Sequence, residues 1–249
     1  MKTRPGVREH LRLACAAVAL ATAITACSSD GSAQQRTASP QPSKTSPTPT
    51  PTYSARHVEA RLLSAEEIGD DIIQSAVRFV PLLERKAPMC ALSGVTLPGN
   101  PKLIIRQFGN RAEPKDEIRY AQLIALYPDA RQARSGFEEI RKKVQACPEK
   151  QHVPPRRISA KSTLLAHDDT WSYTEDSIAG WEHIRGSEKQ VTPRRSTKYN
   201  VFYRMHDYAL RGNVVITSAY WERTEPDESG DPIAKRATDL LIKQLRKLG

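Results

Sequence analysis

The apolar run that ends at residue 26 indicates which part of this chain can fold into a domain. It also indicates the compartment in which that domain folds. It follows a basic N-terminus and spans residues 13–26. A helix needs about 20 apolar residues to cross a bilayer, so this run is too short, and it ends in the small residues typical of a secretory cleavage site. We therefore interpret residues 1–26 as a signal peptide that is removed from the mature protein.

The residues at this cleavage site, Ile24-Thr25-Ala26-Cys27, resemble a bacterial lipobox. In a lipobox the cysteine is acylated, with chains such as palmitate, and becomes the first residue of the mature protein. The resemblance therefore implies a lipid on Cys27 and a protein anchored to the extracytoplasmic face of the cell membrane. The alternatives are an ordinary signal peptide that happens to be followed by Cys, and an uncleaved anchor.

Residues 27–57 have the composition of a tether. Beyond Cys27 they are dominated by Ser, Thr, Pro and Gln. Such a segment cannot bury enough apolar surface to offset the entropy lost on folding, so we expect a disordered linker. Residues 58–249 are then one extracellular sensor or binding domain, and their number, 192, is sufficient for a substantial core.

Net charge does not identify a partner. The whole chain carries +10, but residues 1–57 hold seven Lys/Arg and two acids, which leaves +5 on residues 58–249. On an exported domain this modest excess favours anionic wall polymers or lipid headgroups over nucleic acid. A scattered solvated surface accounts for it equally well. We expect no nucleic-acid partner.

Two cysteines remain in the exported domain, because Cys15 leaves with the signal peptide and Cys27 carries the lipid. In an oxidising compartment a disulfide between Cys90 and Cys147 is favoured over two free thiols. The spacing of the pair matches neither a metal site nor a C-x-x-C redox motif. We therefore predict a disulfide between residues that are 57 positions apart.

The hydrophobic periodicity predicts an α+β domain. Apolar residues recur at intervals of three and four over residues 129–147 and 231–248, which indicates two amphipathic helices. Strand-like stretches lie at 102–108, 118–127, 158–167, 170–176, 180–186, 199–208 and 214–223, and the last two read as a hairpin. The simplest arrangement is an antiparallel sheet with the two main amphipathic helices packed on one face.

No motif in the sequence indicates a familiar catalytic class, since G-x-S-x-G, P-loop, H-E-x-x-H and G-x-G-x-x-G patterns are all missing. The nearest approach to a metal site is a scattered set of residues: His167, Asp168, Asp169, His183, His206 and Asp207. Their spacing matches no ligand set, so we expect neither a metal nor another cofactor. Turn residues and solvated strand ends explain them more simply.

Aromatic residues in the strand-rich half are candidates for a ligand-binding surface. They are Trp171, Tyr173, Trp181, Tyr203 and Trp221. Aromatic faces stack on apolar ligand surfaces, so these residues could line a groove for a sugar or a lipid. Core packing is the alternative, because strands favour aromatic residues irrespective of function.

Four short motifs follow one another along the domain: LLSAEEIG at 62–69, YPDA at 127–130 leading through Phe137 to Cys147-Pro148, RGNVV at 211–215, and the helix at 231–248. Together they resemble the actinobacterial sensor-domain lipoproteins, which are related to the extracellular sensor domain of PknH-type serine/threonine kinases. The resemblance covers most of residues 58–249. It implies an α+β domain with a ligand-binding cleft. The kinase ectodomain has two disulfides, whereas this chain offers cysteines for one.

These observations predict a monomeric, non-catalytic binding or sensing module that is held at the membrane through Cys27. Its partner is an unidentified cell-envelope ligand or partner protein. The alternative is a cell-wall-modifying hydrolase that uses cleft carboxylates such as Glu175, Asp176 and Glu182. Two carboxylates about 5 to 10 Å apart across a deep cleft would favour the hydrolase. An aromatic or featureless cleft would favour binding.

We predict that replacing Cys27 by Ala releases the protein from the membrane. Stable anchoring requires more than one acyl chain, which the lipid on this cysteine supplies. Cell fractionation checks the outcome: the variant is expected to leave the membrane pellet. A variant that stays as firmly bound as the parent protein would show that the lipobox interpretation is wrong.

Overall fold

The structure of the protein is a computed structural model that describes residues 50–111, 119–159, 162–194 and 199–249. The predicted signal peptide, Cys27 and residues 28–49 of the predicted linker lie outside these residues.

The described residues form an α+β domain, as predicted. The strands are β1 (Ile72–Ser75), β2 (Ala87–Pro88), β3 (Gly94–Val95), β4 (Lys102–Asn110), β5 (Arg119–Leu126), β6 (Lys150–Val153), β7 (Arg156–Ser159), β8 (Ser162–Leu164), β9 (His167–Ile178), β10 (Trp181–Val191), β11 (Val201–Arg211) and β12 (Val214–Thr224). The helices are α1 (Ala55–Glu59), α2 (Ala65–Ile68), α3 (Val80–Leu83), α4 (Ala130–Gln145) and α5 (Asp231–Leu248).

Eight of these strands form one antiparallel sheet in the order β1-β4-β5-β12-β11-β10-β9-β6. Strands β9 to β12 run as a meander, and the predicted hairpin of β11 and β12 is confirmed by a ladder from Arg211 and Val214 to Val201 and Thr224. Gly212 has a φ of +57°, the left-handed conformation that this tight turn requires. Strands β2-β3 and β7-β8 form two separate small hairpins.

Alternate residues of β5 point to opposite faces of the sheet, and both sets are buried. Ala121, Leu123 and Ala125 pack in the core that contains α4, whereas Tyr120 and Ile124 pack in the clusters that contain α5. The prediction that both helices lie on one face is therefore wrong. The reason is physical: the nearly continuous apolar run of β5 has apolar surface on both sides, and one layer of helices cannot cover it.

Both long helices were predicted close to their observed bounds. Helix α4 begins after Asp129, whose side chain accepts a hydrogen bond from the main-chain N–H of Gln132 at 2.8 Å. Helix α5 has Pro232 in its first turn and Gly230 at its N-cap position. In each helix the predicted apolar stripe is the buried one.

The folded domain begins before the predicted boundary at His57. Tyr53 is only 7 % exposed, and its ring stacks on Trp181 with centroids 5.9 Å apart. Its main chain exchanges hydrogen bonds with the side chain of Asn213, at 2.7 and 3.1 Å. Ser54 then caps α1. The linker prediction therefore extends too far, because composition conceals a single aromatic side chain that packs into the core.

Residues 77–97 cover the face of the sheet on which α4 lies. Phe79, Leu82 and Met89 are buried there with the apolar stripe of α4. The predicted disulfide between Cys90 and Cys147 is present, with Cα atoms 6.2 Å apart. It joins this segment to the residues that follow α4, so one covalent bond connects two of the elements that cover this face.

Among the described residues, we find no helix with both the length and the apolar character needed to cross a membrane.

We predict that loss of the disulfide, by reduction or in a double Cys90→Ser, Cys147→Ser variant, lowers the free energy of unfolding by up to about 4 kcal/mol. The denatured chain gains the freedom of a loop of 57 residues. Hydrogen exchange should rise first in residues 81–101, because the bond holds that segment against α4. Chemical denaturation of the oxidised and reduced domain measures the effect. Coincident unfolding curves would contradict the prediction.

Candidate functional site

Helix α5 covers only part of its face of the sheet, and the uncovered part forms a groove. Two cross-strand rows on β9, β10 and β11 make its floor: Ser172, Ser187 and Met205, and next to them Thr170, Lys189 and Tyr203. The first turn of α5 and the residues before it form a wall. We call this feature the open groove, and this part of it has a volume of about 440 Å³.

Tyr203 is the aromatic residue that the structure places in the open groove. Its hydroxyl donates to the carbonyl oxygen of Glu228 at 3.3 Å, and its ring lies against Gly230, where any side chain would clash with it. The Lys189 ammonium is 5.5 Å from the centre of the ring. The ring, the cation and the helix start are thus held together in one place.

The groove continues past Lys189 toward the ends of the strands. This second part has a volume of about 430 Å³, and Lys189 lines both parts. His152 and Asp168 lie on its rim, paired at 2.7 Å between Nδ1 and Oδ1. Val191 and Val201 add apolar floor. The groove therefore combines apolar surface with hydroxyl groups, the cations of Lys189 and Arg194, and the exposed carboxylates of Asp168 and Asp231.

The side chains of the other four aromatic residues that were candidates for a ligand-binding surface do not cluster with Tyr203. Trp181 is fully buried with α5, and Trp221 packs against Phe79 in the core around α4. Trp171 borders the groove, but its indole is buried on the opposite face, where Nε1 donates to the carbonyl oxygen of Val144 at 3.3 Å. Tyr173 is 42 % exposed on β9. For Trp171, Trp181 and Trp221, core packing is the observed role.

A second polar feature, the buried ionic cluster, lies on the α4 face under the disulfide-linked turn. It consists of Asp169, Glu188, Arg204 and His206, each less than 9 % exposed. Glu188 accepts from Arg204 and from His206, both at 3.3 Å, and from the main-chain N–H of Ala91 at 3.1 Å. Burial opposes ionisation of Glu188, but His206 and Arg204 outweigh it and lower its pKa.

Asp169 is the member of the buried ionic cluster whose carboxylate has the fewest hydrogen-bonding partners among the described residues. Neither of its carboxylate oxygens has a hydrogen-bond partner among the described residues, and Nε2 of His167 lies 3.5 Å from Oδ2. Burial, and then the charge of Glu188, raise the pKa of Asp169. Its carboxylate is therefore costly to keep ionised, and the cluster is polar without being fully satisfied.

His183 forms the centre of a third polar network, on the α5 face. Its Nε2 is 2.9 Å from Asp207 and its Nδ1 is 2.7 Å from Asp176, while Arg185 donates to Asp207 at 2.7 Å. Burial alone would lower the pKa of His183, but its hydrogen bonds to Asp207 and Asp176 prevail and raise it. Arg185 also donates to Thr238 at 2.5 Å, which connects the network to α5.

The carboxylates named for a hydrolase are engaged in other contacts. Glu175 accepts from Arg141 at 2.9 Å, and Glu182 pairs with both Arg141 and Arg134. Asp176 is bound to His183. None of the three lines the open groove. Their positions therefore give no support to a pair of carboxylates acting across this groove.

The scattered histidines and aspartates are distributed over both faces. His167, Asp169 and His206 lie on the α4 face, whereas His183 and Asp207 lie on the α5 face. No group of three or more potential ligands with metal-binding geometry occurs among the described residues.

Sequence reasoning missed Lys189, Glu188 and Arg204. Alternation on β10 could have indicated the first two, because Glu188 and Lys189 are neighbours that must point to opposite faces.

The fold and groove define an α+β domain with an uncovered surface at one end of its sheet. No protein-family model matches the sequence, and no curated protein matches it. Among solved structures, the chain is similar to the extracellular domain of PknH from Mycobacterium tuberculosis, at 12 % identity and a TM-score of 0.49. The match covers 80 % of this chain and 98 % of that chain.

We predict that His183→Gln lowers the stability of the domain by about 1–3 kcal/mol at pH 6, because it removes a buried charged hydrogen-bonding partner of Asp207. A raised histidine pKa stabilises the folded state fully below the unfolded value of about 6.5, and this contribution is lost as the pH rises through the folded-state pKa. The difference between parent and variant should therefore shrink above pH 6.5, as measured by urea unfolding.

The matched control is His152→Gln, since His152 also pairs with an aspartate but is exposed. It should change stability little at any pH. A His183→Gln effect that stays constant from pH 6 to pH 9 would contradict the assignment.

Proposed function

We propose that this protein is a non-catalytic binding or sensing module on the extracytoplasmic face of the membrane, and that the open groove is its ligand site. The observation that carries the proposal is the cross-strand row of Thr170, Lys189 and Tyr203 beyond the start of α5, where the sheet presents side chains that neither helix covers. Clefts of about 300–1,000 Å³ are the usual size of small-ligand sites, and each part of the groove is within that range.

The side chains of the groove favour a sugar-containing envelope ligand. Hydroxyl groups of Thr170, Ser172 and Ser187 offer hydrogen bonds to a polyhydroxylated molecule. Tyr203 supplies an aromatic edge and Lys189 a cation for an acidic substituent. This set suits a glycan better than a purely hydrocarbon ligand, because most of the polar groups on the floor would stay unpaired against a lipid chain.

Two features support the proposed location. The disulfide between Cys90 and Cys147 is of the kind that persists in oxidising, extracytoplasmic surroundings. The predicted signal peptide and acylated Cys27 would deliver the chain to that compartment and hold it at the membrane. We propose that it acts there as a monomer and without a nucleic-acid partner, as a member of the sensor-domain lipoproteins that its motifs resemble.

We predict that Tyr203→Ala and Lys189→Ala each weaken binding of a soluble glycan fraction from the cell envelope by about tenfold or more, because they remove groups at the centre of the groove. Isothermal titration with the purified domain measures the affinity. The matched control is Tyr173→Ala, which removes an exposed aromatic residue from the same sheet. It should change the affinity less than twofold.

Equal losses in Tyr203→Ala and Tyr173→Ala would contradict the groove as the site. New reducing ends, released from the same glycan fraction by the parent protein, would contradict a non-catalytic role and favour the hydrolase instead.

A further inference from the structure

The end of the domain at which the predicted tether enters is rich in arginine. Thr50 and Pro51 are the first described residues, and they line a pocket of about 570 Å³ together with Arg131, Arg134 and Arg211. Any segment that links the domain to Cys27 must therefore leave through arginine-bearing surface.

Several elements of the fold meet at this end. The carbonyl oxygen of Pro51 lies so close to Gly212 that no side chain could replace that glycine's hydrogen. The Tyr53 hydroxyl donates to the carbonyl oxygen of Gly249 at 3.2 Å, and Arg211 donates to the same oxygen. The entry of the chain, the β11-β12 turn and the end of α5 are thus neighbours, together with the start of α4.

Some arginines at this end are held by contacts within the described part of the fold, and others are exposed to solvent. Arg134 pairs with Glu182, and Arg211 is held by Gly249. Arg56, Arg131 and Arg246 are exposed, and they form no ion pair among the described residues. Arg56 belongs to α1, directly after the entry of the chain, and Arg246 to the last turn of α5. We call these three residues the basic end.

We propose that the basic end docks on anionic phospholipid headgroups of the membrane in which the lipid on Cys27 is inserted. The inference rests on the proposed tether. Only 22 residues, 28–49, separate Cys27 from the first described residue. A linker of that length with coil-like statistics has a mean end-to-end distance of about 25 Å, which makes the effective concentration of membrane surface high. Each basic residue near an anionic leaflet strengthens attraction by about fivefold, and the three exposed arginines of the basic end are available for it.

Docking by the basic end determines the direction in which the open groove faces. The turns at Gly180 and Gly212 lie at the basic end, whereas Lys189 is nine residues further along β10. At about 3.3 Å per residue the groove is about 30 Å from the docked surface. A domain held by its basic end would therefore present the groove away from the membrane, toward the cell envelope.

The test uses the unacylated chain of residues 28–249, so that lipid insertion cannot conceal surface attachment. Cosedimentation with vesicles of phosphatidylglycerol and phosphatidylcholine is compared with cosedimentation with vesicles of phosphatidylcholine alone. The parent chain should bind the anionic vesicles only, and binding should fall as salt rises from about 0.1 M to about 1 M. A triple Arg56→Gln, Arg131→Gln, Arg246→Gln variant should bind at least about tenfold less.

The matched control is a triple Lys142→Gln, Lys143→Gln, Lys150→Gln variant. It removes the same charge from exposed residues at the far end of α4 and beyond, and should bind within about twofold of the parent. Equal losses in the two triple variants, equal binding to both kinds of vesicle, or binding to soluble polyphosphate without binding to vesicles would each overturn the proposal. Glycan titration of the unacylated chain reports the groove separately, so failure of docking is distinguishable from failure of the proposed ligand site.

Discussion

Strands β5, β11 and β12 bury side chains on both of their faces, and the rest of the structure depends on this two-sided burial. Apolar residues on one face require α4 and residues 77–97, and those on the other require α5 and the segment around Tyr53. Burial of this apolar surface is the main favourable contribution to folding. Because each layer covers one face only, loss of either would expose half of the core.

Two-sided burial also explains why charged residues are found inside this domain. Polar side chains of β9, β10 and β11 lie within or beside the apolar clusters, in regions that the helices and the turn at Cys90–Leu92 enclose. Glu188 and Arg204 therefore pair on one face, while His183 and Asp207 pair on the other. Paired charges of this kind tend to fix one arrangement of strands at some cost in stability, since a missing partner leaves an uncompensated buried charge.

The position and length of α5 determine which part of the sheet is available to a ligand. Helix α5 begins over Ser187 and Met205 and runs toward the chain entry, so the opposite ends of β9, β10 and β11 have no helical cover on this face. The fold thus has a covered end with the three arginines of the basic end, and an open end with hydroxyl groups, Lys189, Arg194 and Tyr203. The proposed roles follow that division: attachment at the first end and ligand binding at the second.

Much of the fold could be predicted from the sequence, for identifiable reasons. The apolar stripes of α4 and α5, the turn at Gly212 and the pairing of Cys90 with Cys147 each depend on local spacing or on the small number of cysteines. A stripe shows that a helix is buried, but not against which face of a sheet, so the arrangement of the helices was missed. Composition likewise concealed Tyr53 within a Ser/Pro-rich segment.

The candidate site was less predictable, because it depends on which neighbours share a face. Trp171 and Tyr203 are both aromatic residues on long strands, yet one indole fills the core beneath α4 and the other ring borders the groove. Their surroundings are distinguished by the cross-strand register, which places Lys189 between Tyr203 and Thr170 on the groove side of the sheet. Register is set by long-range pairing that the periodicity of a single strand does not specify.

Ligand recognition is proposed to occur at the uncovered end of the sheet on the α5 face. Amide chemical-shift mapping of the isotopically labelled domain, titrated with the soluble envelope glycan fraction, tests it most directly. We expect the largest shifts at Thr170, Ser172, Ser187, Lys189 and Tyr203, with little change in α4. Shifts centred on α4 and the buried ionic cluster, with the groove unaffected, would contradict it.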